Sequence, residues 1–444
     1  MLKYQKIGEM DSKYPYETIC EESEDEWVSV NRYCLREKMK SKSRFYCYIL
    51  IISILYGFQY YINNKITPVG DQTAFLNYAK EFHHNYLEFG INRYLTWSSR
   101  LLIESATLFF SVHDKLFIIA SIIASFFLLL PSKKLCPNLS WIPGLFIFIF
   151  LPASEFLSAG SIPTYINYVF PASFLLFSLY YRYSDKWWVQ CLAFLSFVFA
   201  IMNEQLAVYA FLWIVFELIR DWKVITFRYR NILYGLVSLT GILSAKFSLG
   251  NTLRFEKNVE SWFPNFVHLN PFQKIGLGIL ETGDGIFSVS FGFIFVFLIV
   301  LVVLSFYKKN FISLILSSFT LFAILSQKFE WRNILFTLSS VSKVARESGT
   351  FDYNVVYFGA VIYYIVLFMI LMYSLWTLSK VSDRLWIIYL FGIGLIGRLL
   401  ISFSPTLYAS STRTYLPIML SLFIITCYFL NDIYIHFKRS KAIK

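Results

Sequence analysis

Between Asp352 and Lys380 the chain reads YNVVYFGAVIYYIVLFMILMYSLWTLS, without one acidic or basic side chain. As a helix, such a stretch is long enough to cross the apolar layer of a bilayer, which takes roughly 20 residues. Comparable runs recur along most of the chain. The bilayer core offers the backbone no water, so each spanning segment must satisfy its own N–H and C=O groups, and helices do. The repetition therefore predicts an all-α, polytopic integral membrane protein. Composition agrees: 57% of the residues are hydrophobic and only 15% charged, where a soluble domain carries about one quarter charged. A length of 444 residues leaves room for about a dozen spans and no separate soluble domain.

The runs place twelve spans at residues 45–62, 116–130, 141–153, 164–181, 187–202, 205–218, 232–249, 286–306, 311–325, 355–378, 385–403 and 415–430. Basic loops mark the cytoplasmic side. Lys133 and Lys134, Arg182 and Lys186, residues 220–230, Lys308 and Lys309, Lys380 and Arg384, and the C-terminal lysines all fall on one side. The mixed-charge loops 63–98, 250–285, 327–354 and 404–413 fall on the other. Residues 101–112 are apolar but short and contain Glu104; they read as a helix lying on or dipping into the outer surface. With that choice both termini are cytoplasmic. Residues 1–44 then form a charged cytoplasmic tail rather than a signal peptide, 45–433 the membrane domain, and 434–444 a second tail.

The net charge of +12 follows from the positive-inside pattern and calls for no nucleic-acid partner. The six cysteines are scattered, with no Cys-x-x-Cys pair, so neither a disulfide framework nor a metal site is implied. His83 and His84 are adjacent and point about 100° apart on a helix, which does not suit a metal pair.

Charged and polar groups at a membrane face are costly and therefore mark function by default. Five clusters share the predicted outer face. Asp71 stands just beyond the first span, as a general base or an ordinary N-cap. Residues 97–100 (Trp-Ser-Ser-Arg) would put Trp97 and Arg100 on one helical face, suited to a sugar ring and a phosphate or to an interfacial anchor. Asn203 and Glu204 occupy a tight turn, where the acid is either catalytic or paired with a nearby Arg or Lys; residues 154–155 and 163–168 lie at similar depth. Residues 250–254 (Gly-Asn-Thr-Leu-Arg) place Arg254 at headgroup depth, with a helix C-cap and a snorkelling Arg as the plain alternative. Residues 404–413 carry several hydroxyls before Arg413. Within the preceding span, Arg398 needs an anion or a carbonyl.

Asp71 after the first span, Tyr94-x-x-Trp97-x-x-Arg100, Gly250-Asn251-x-x-Arg254 and the stretch from Pro405 to Arg413 together resemble, in order and spacing, a bacterial family. These are the polytopic membrane glycosyltransferases of the GT-C class related to O-antigen-modifying glucosyltransferases. The resemblance implies a sugar donor on polyprenyl phosphate, a cell-surface polysaccharide or lipid-linked glycan as acceptor, and transfer on the extracytoplasmic side of a bacterial inner membrane. It implies Asp71 as base, Arg100, Arg254 and Arg413 on the donor phosphate, and Tyr94, Trp97 and Asn251 around the substrate; Asn203, in the turn beside Glu204, is a further substrate-binding candidate. Some members use a divalent metal, to which the few outer-face acids here do not commit. Two positions depart from the family pattern. Gly70 stands beside Asp71 where paired acids are common, which leaves Glu204 as a rival base. Ser248-Leu249 precede Gly250 where relatives tend to carry Ala-Pro. A transporter, flippase or ligase of lipid-linked glycans is the alternative, but it calls for polar groups spread about a midplane site, often in repeated halves. A structural partner in envelope assembly is the third reading.

Overall fold

The computed structural model describes residues 24–66, 70–287 and 292–442. Among these residues every regular element is helical and none is a strand. The chain divides into Met1–Tyr48 and Ile49–Lys444. Helix α1 (Glu24–Ile66) starts in the first unit and ends in the second. The expected tail over residues 1–44 lies within the first unit, and its residues 1–23 fall outside the described set.

In the second unit, short helices follow α1: α2 (Gln72–Glu81), α3 (Tyr86–Thr96), α4 (Leu101–Val112) and α5 (Asp114–Leu129). Asn85 begins α3, its Oδ1 accepting from the Glu88 backbone N–H at 3.2 Å, the interaction that makes Asn a strong N-cap. Helix α6 (Ile142–Phe150) and the span α7 (Ser161–Tyr181) come next, and α7 opens into a π-helical stretch at Tyr165–Val169. Helices α8 (Trp187–Ala200) and α9 (Glu204–Arg220) form a tight hairpin. Its turn is held by Asn203, whose Oδ1 accepts from Leu206 N at 3.1 Å. Helices α10 (Ile225–Phe247) and α11 (Leu249–Trp262) meet at a 52° bend. The remainder is α12 (Pro271–Phe287), α13 (Gly292–Tyr307), α14 (Phe311–Lys328), α15 (Ile334–Ser348), α16 (Val355–Leu378), α17 (Arg384–Leu399) and α18 (Leu416–Ala442). Helix α9 packs against α10 and α17, and α17 against α18.

Seven of these helices are long and apolar enough to cross a membrane, or up to nine if each of two bent pairs is one span. The expected twelve are not reached on that criterion. The segment 141–153 contains a helix of only 9 residues and 187–202 one of 14, and the helix over 205–218 has 17. The run 286–306 is also divided, because α12 continues to Phe287 and α13 starts at Gly292. Apolar side chains face outward along the long helices: on α16, Ile362 is 57% and Met369 61% exposed. An apolar exterior of this kind is stable only against lipid.

Arg398 is almost wholly enclosed. Its Nη1 donates to Thr414 Oγ1 at 2.9 Å, and its guanidinium lies 3.8 Å from the centre of the Tyr415 ring. A hydroxyl and a π face replace the anion or carbonyl expected from sequence.

Candidate functional site

Trp97 and Arg100 would share one face only if residues 97–100 were helical, and they are not. Helix α3 ends at Thr96 and α4 starts at Leu101, with Arg100 as the residue that enters α4. The break turns Arg100 inward to 9% exposure. Its Nε and Nη2 donate to Glu204 Oε2 at 2.8 and 2.5 Å, and its Nη1 donates to Asn167 Oδ1 at 3.2 Å. The other Glu204 oxygen accepts from Ser99 Oγ at 3.2 Å. Burial works against the Arg100 cation; Glu204 and then Tyr168 outweigh it, and the pKa ends above its ordinary value. Glu204 is therefore engaged at both oxygens, the paired alternative for this residue.

The π-helical stretch of α7 presents Asn167 and Tyr168. Such bulges re-aim side chains within a helix and recur at functional sites. Asn167 braces the site, its Nδ2 donating to Pro163 O at 2.8 Å while its backbone O accepts from Asn203 Nδ2 at 2.9 Å. The guanidiniums of Arg100 and Arg413 lie 5.4 and 5.8 Å from the centre of the Tyr168 ring, within cation–π range.

Helix α11 brings in Asn251 and Arg254. Ser248, not Gly250, makes the turn: its backbone is extended, and its Oγ donates to Tyr94 O at 2.9 Å and accepts from Asn251 N at 3.4 Å. Gly250 serves a close approach. A Cβ there would sit 2.4 Å from Trp97 N and 2.7 Å from Ser98 N, so only glycine lets α11 rest on the end of α3. Asn251 completes the join, its Oδ1 accepting from Ser99 N at 3.2 Å and its Nδ2 donating to Ala245 O at 2.7 Å.

Asp71 lies at the start of α2, exposed, and its side chain does not cap that helix. Its backbone N–H donates to Ala159 O at 3.1 Å. The preceding Gly70 has φ +81°, and a Cβ there would meet Ala159 C at 2.7 Å. This contact is a physical reason why no second acid stands at position 70.

Asp71, Trp97, Arg100, Tyr168, Arg254 and Arg413 all line one cavity of about 70 Å³. A cavity of about 370 Å³ continues from Asp71 and Trp97 towards Lys257. Another, of about 240 Å³, continues from Arg100, Tyr168 and Arg254 to Asn258, Ser404, Thr406 and Ser410. The charges around the central cavity sort by pairing. Arg93 bonds Glu104 at 3.2 Å, and Arg100 bonds Glu204. Among the described residues, Arg254, Arg413 and Asp71 belong to no ion pair. The Nε of Arg413 is buried without a hydrogen-bond partner among the described residues. Two guanidiniums and one carboxylate outside any contact ion pair, around a small cavity, can hold an anion and accept a proton. Among the described residues no three His, Cys, Asp or Glu side chains are grouped to hold a metal ion.

Two expected substrate residues, Tyr94 and Asn203, take other places. Tyr94 lines none of these cavities; its carbonyl and hydroxyl accept from Ser248 and Ser244, tying α3 to α10 and α11. Asn203, 1% exposed, is spent on the hairpin. Trp97 does line the site, but Arg93, Arg254 and Lys257 lie 5.0, 5.8 and 5.8 Å from the centre of its ring. It is a seat for cations rather than an open platform for a sugar. Asn251 lines the cavity of about 240 Å³ while its amide joins α11 to residues 97–100. The role of Arg93 and Glu104 was missed; an acid within a short apolar helix, eleven residues past an Arg, was the available signal. No family model, curated protein or solved structure matches the chain.

Proposed function

We propose that this membrane protein is a glycosyltransferase. It moves a sugar from a polyprenyl-phosphate donor to a surface polysaccharide or lipid-linked glycan, on the extracytoplasmic face of a bacterial inner membrane. The reading includes a GT-C-like arrangement in which the short apolar helices also cross, giving about twelve spans. One observation carries it: among the described residues Arg254, Arg413 and Asp71 belong to no ion pair, and all three line the same small cavity.

The acceptor hydroxyl oxygen attacks the anomeric carbon and its proton passes to the Asp71 carboxylate. The bond from the anomeric carbon to the phosphate oxygen breaks, and polyprenyl phosphate leaves with the electron pair. Arg254 and Arg413 stabilise the charge that develops on that phosphate, at an enclosed site where fixed cations act strongly. Arg100 joins them with its direction set by Glu204, which makes Glu204 a positioning residue and not the base. Glycan analysis of cells carrying Asp71→Asn, Arg254→Ala or Arg413→Ala, at normal protein level, tests the assignment. Loss of one sugar substituent from the surface glycan in each variant is expected. Unchanged glycan in all three removes the enzyme reading.

A further inference from the structure

On α11, residues Asn251, Arg254, Phe255 and Asn258 all line the cavity of about 240 Å³. Their spacing of i, i+3, i+4 and i+7 is one helical face. Trp262 extends that face at i+11, about 12 Å along the helix from Arg254. There it lines a separate cavity of about 320 Å³ with Phe263, Asn265, Arg346, Glu347 and Tyr408. The connection after Phe403 serves both cavities: Ser404, Thr406 and Ser410 line the first and Tyr408 the second.

The walls of this second cavity are preformed. The Phe263 and Tyr408 rings pack at 5.5 Å, and Phe263 is buried. Gly349, at φ +63°, ends α15 so close to Phe263 that a Cβ would touch its ring at 3.0 Å. Trp262, in contrast, is 63% exposed, and Asn265 and Glu347 are exposed beside it.

The two cavities differ in charge. The Arg346 guanidinium is already taken by Glu281 at 2.7 Å and Asp284 at 2.9 Å. Glu347 adds a further carboxylate. No cation is left over for a phosphate, so the chemistry of the second cavity is that of a neutral polyol. Indole and phenol rings cover the C–H face of a pyranose. The Asn265 amide and the Glu347 carboxylate offer donors and acceptors to its hydroxyls.

We propose that the cavity between Trp262 and Tyr408 binds neutral saccharide units of the acceptor glycan, with the polar face of α11 leading from it to the transfer site. The proposal rests on the glycosyltransferase reading for the word acceptor, but the saccharide site can be tested without it. Full-length protein in nanodiscs, fluorescently labelled, is applied to an array of neutral and anionic bacterial oligosaccharides. Binding of undecaprenyl phosphate is measured on the same preparations. Wild type is expected to bind a subset of neutral glycans. Trp262→Ala and Asn265→Ala, both at exposed positions, should weaken that binding at least about tenfold, and Trp262→Phe should keep most of it. Arg254→Ala should bind the array as wild type does while losing undecaprenyl phosphate. No neutral glycan bound by wild type, or Trp262→Ala binding as wild type, overturns the proposal. So does loss of glycan in Arg254→Ala, which puts the saccharide in the first cavity. If the glycan results hold but Arg254→Ala keeps its affinity for undecaprenyl phosphate, the saccharide site stands and the donor-phosphate assignment fails.

Discussion

Two clusters of charge stand out among the helices, and they are built to different ends. In one, Arg346 bonds both Glu281 and Asp284, and Gln327 Nε2 donates to Asp284 Oδ1 at 2.9 Å. Each carboxylate has a partner. In the other, Glu204 pairs with Arg100 and Glu104 with Arg93, while Arg254, Arg413 and Asp71 face a common cavity with no ion pair among the described residues. Burial alone does not separate the groups, since Asp284 and Arg100 are buried to similar degrees. Pairing does. A closed set of partners serves the fold, and an open one leaves charge to meet a ligand.

The comparison can be broken most severely at the unpaired residues. Asp71→Asn should reduce sugar transfer ~100- to 10,000-fold, the usual loss when a general base is removed. The protein should keep its normal thermal unfolding, because the Asp71 side chain is exposed and does not cap α2; a matching fall in unfolding temperature would make it structural. Next comes Glu204→Ala, which leaves Arg100 buried and uncompensated. A stability loss of about 3 kcal/mol is expected, together with weaker transfer, read by thermal unfolding in detergent and by glycan analysis. Glu204→Gln should restore stability in part, because an amide oxygen still accepts from Arg100. Gly250→Ala should cost about 2 kcal/mol through the clash with the backbone at Trp97 and Ser98, and should lower donor binding as Arg254 moves with α11. The smallest effect belongs to the closed group. Asp284→Asn should cost about 1 kcal/mol, since the Arg346–Glu281 bond remains, and should leave the affinity for polyprenyl phosphate unchanged.

What the sequence made legible follows from which properties are local. A run such as Val355–Leu378 carries its own membrane length and its own helix, so the all-helical membrane class is plain from the letters. Asp71, Arg100, Arg254 and Arg413 could also be gathered, because charged groups beside apolar runs are few and costly. Partnership is not local. Nothing near Glu204 in the chain says that Arg100 closes upon it, or that Tyr94 meets Ser248 from 154 positions away. Glycine is ambiguous in the same way: Gly250 reads as a turn, yet its missing Cβ serves the contact with Trp97. Glu281 and Asp284 were read as part of a mixed-charge loop. Their spacing of three on a glycine-rich helix, facing Arg346, appears only once α12 and α15 are side by side. The short helices are hard to read for a related reason: α6, of 9 residues, falls below the length test for a span, and its packing against α18 depends on residues far along the chain.

The central claim is that the unpaired arginines hold the donor's phosphate. Its most direct test is equilibrium binding of undecaprenyl phosphate to the purified full-length protein in nanodiscs, comparing wild type with Arg254→Ala/Arg413→Ala. Two charge-assisted contacts to one phosphate predict a loss of at least about 100-fold in affinity, with Asp284→Asn binding as wild type does. Equal affinity in wild type and the double variant would contradict the account.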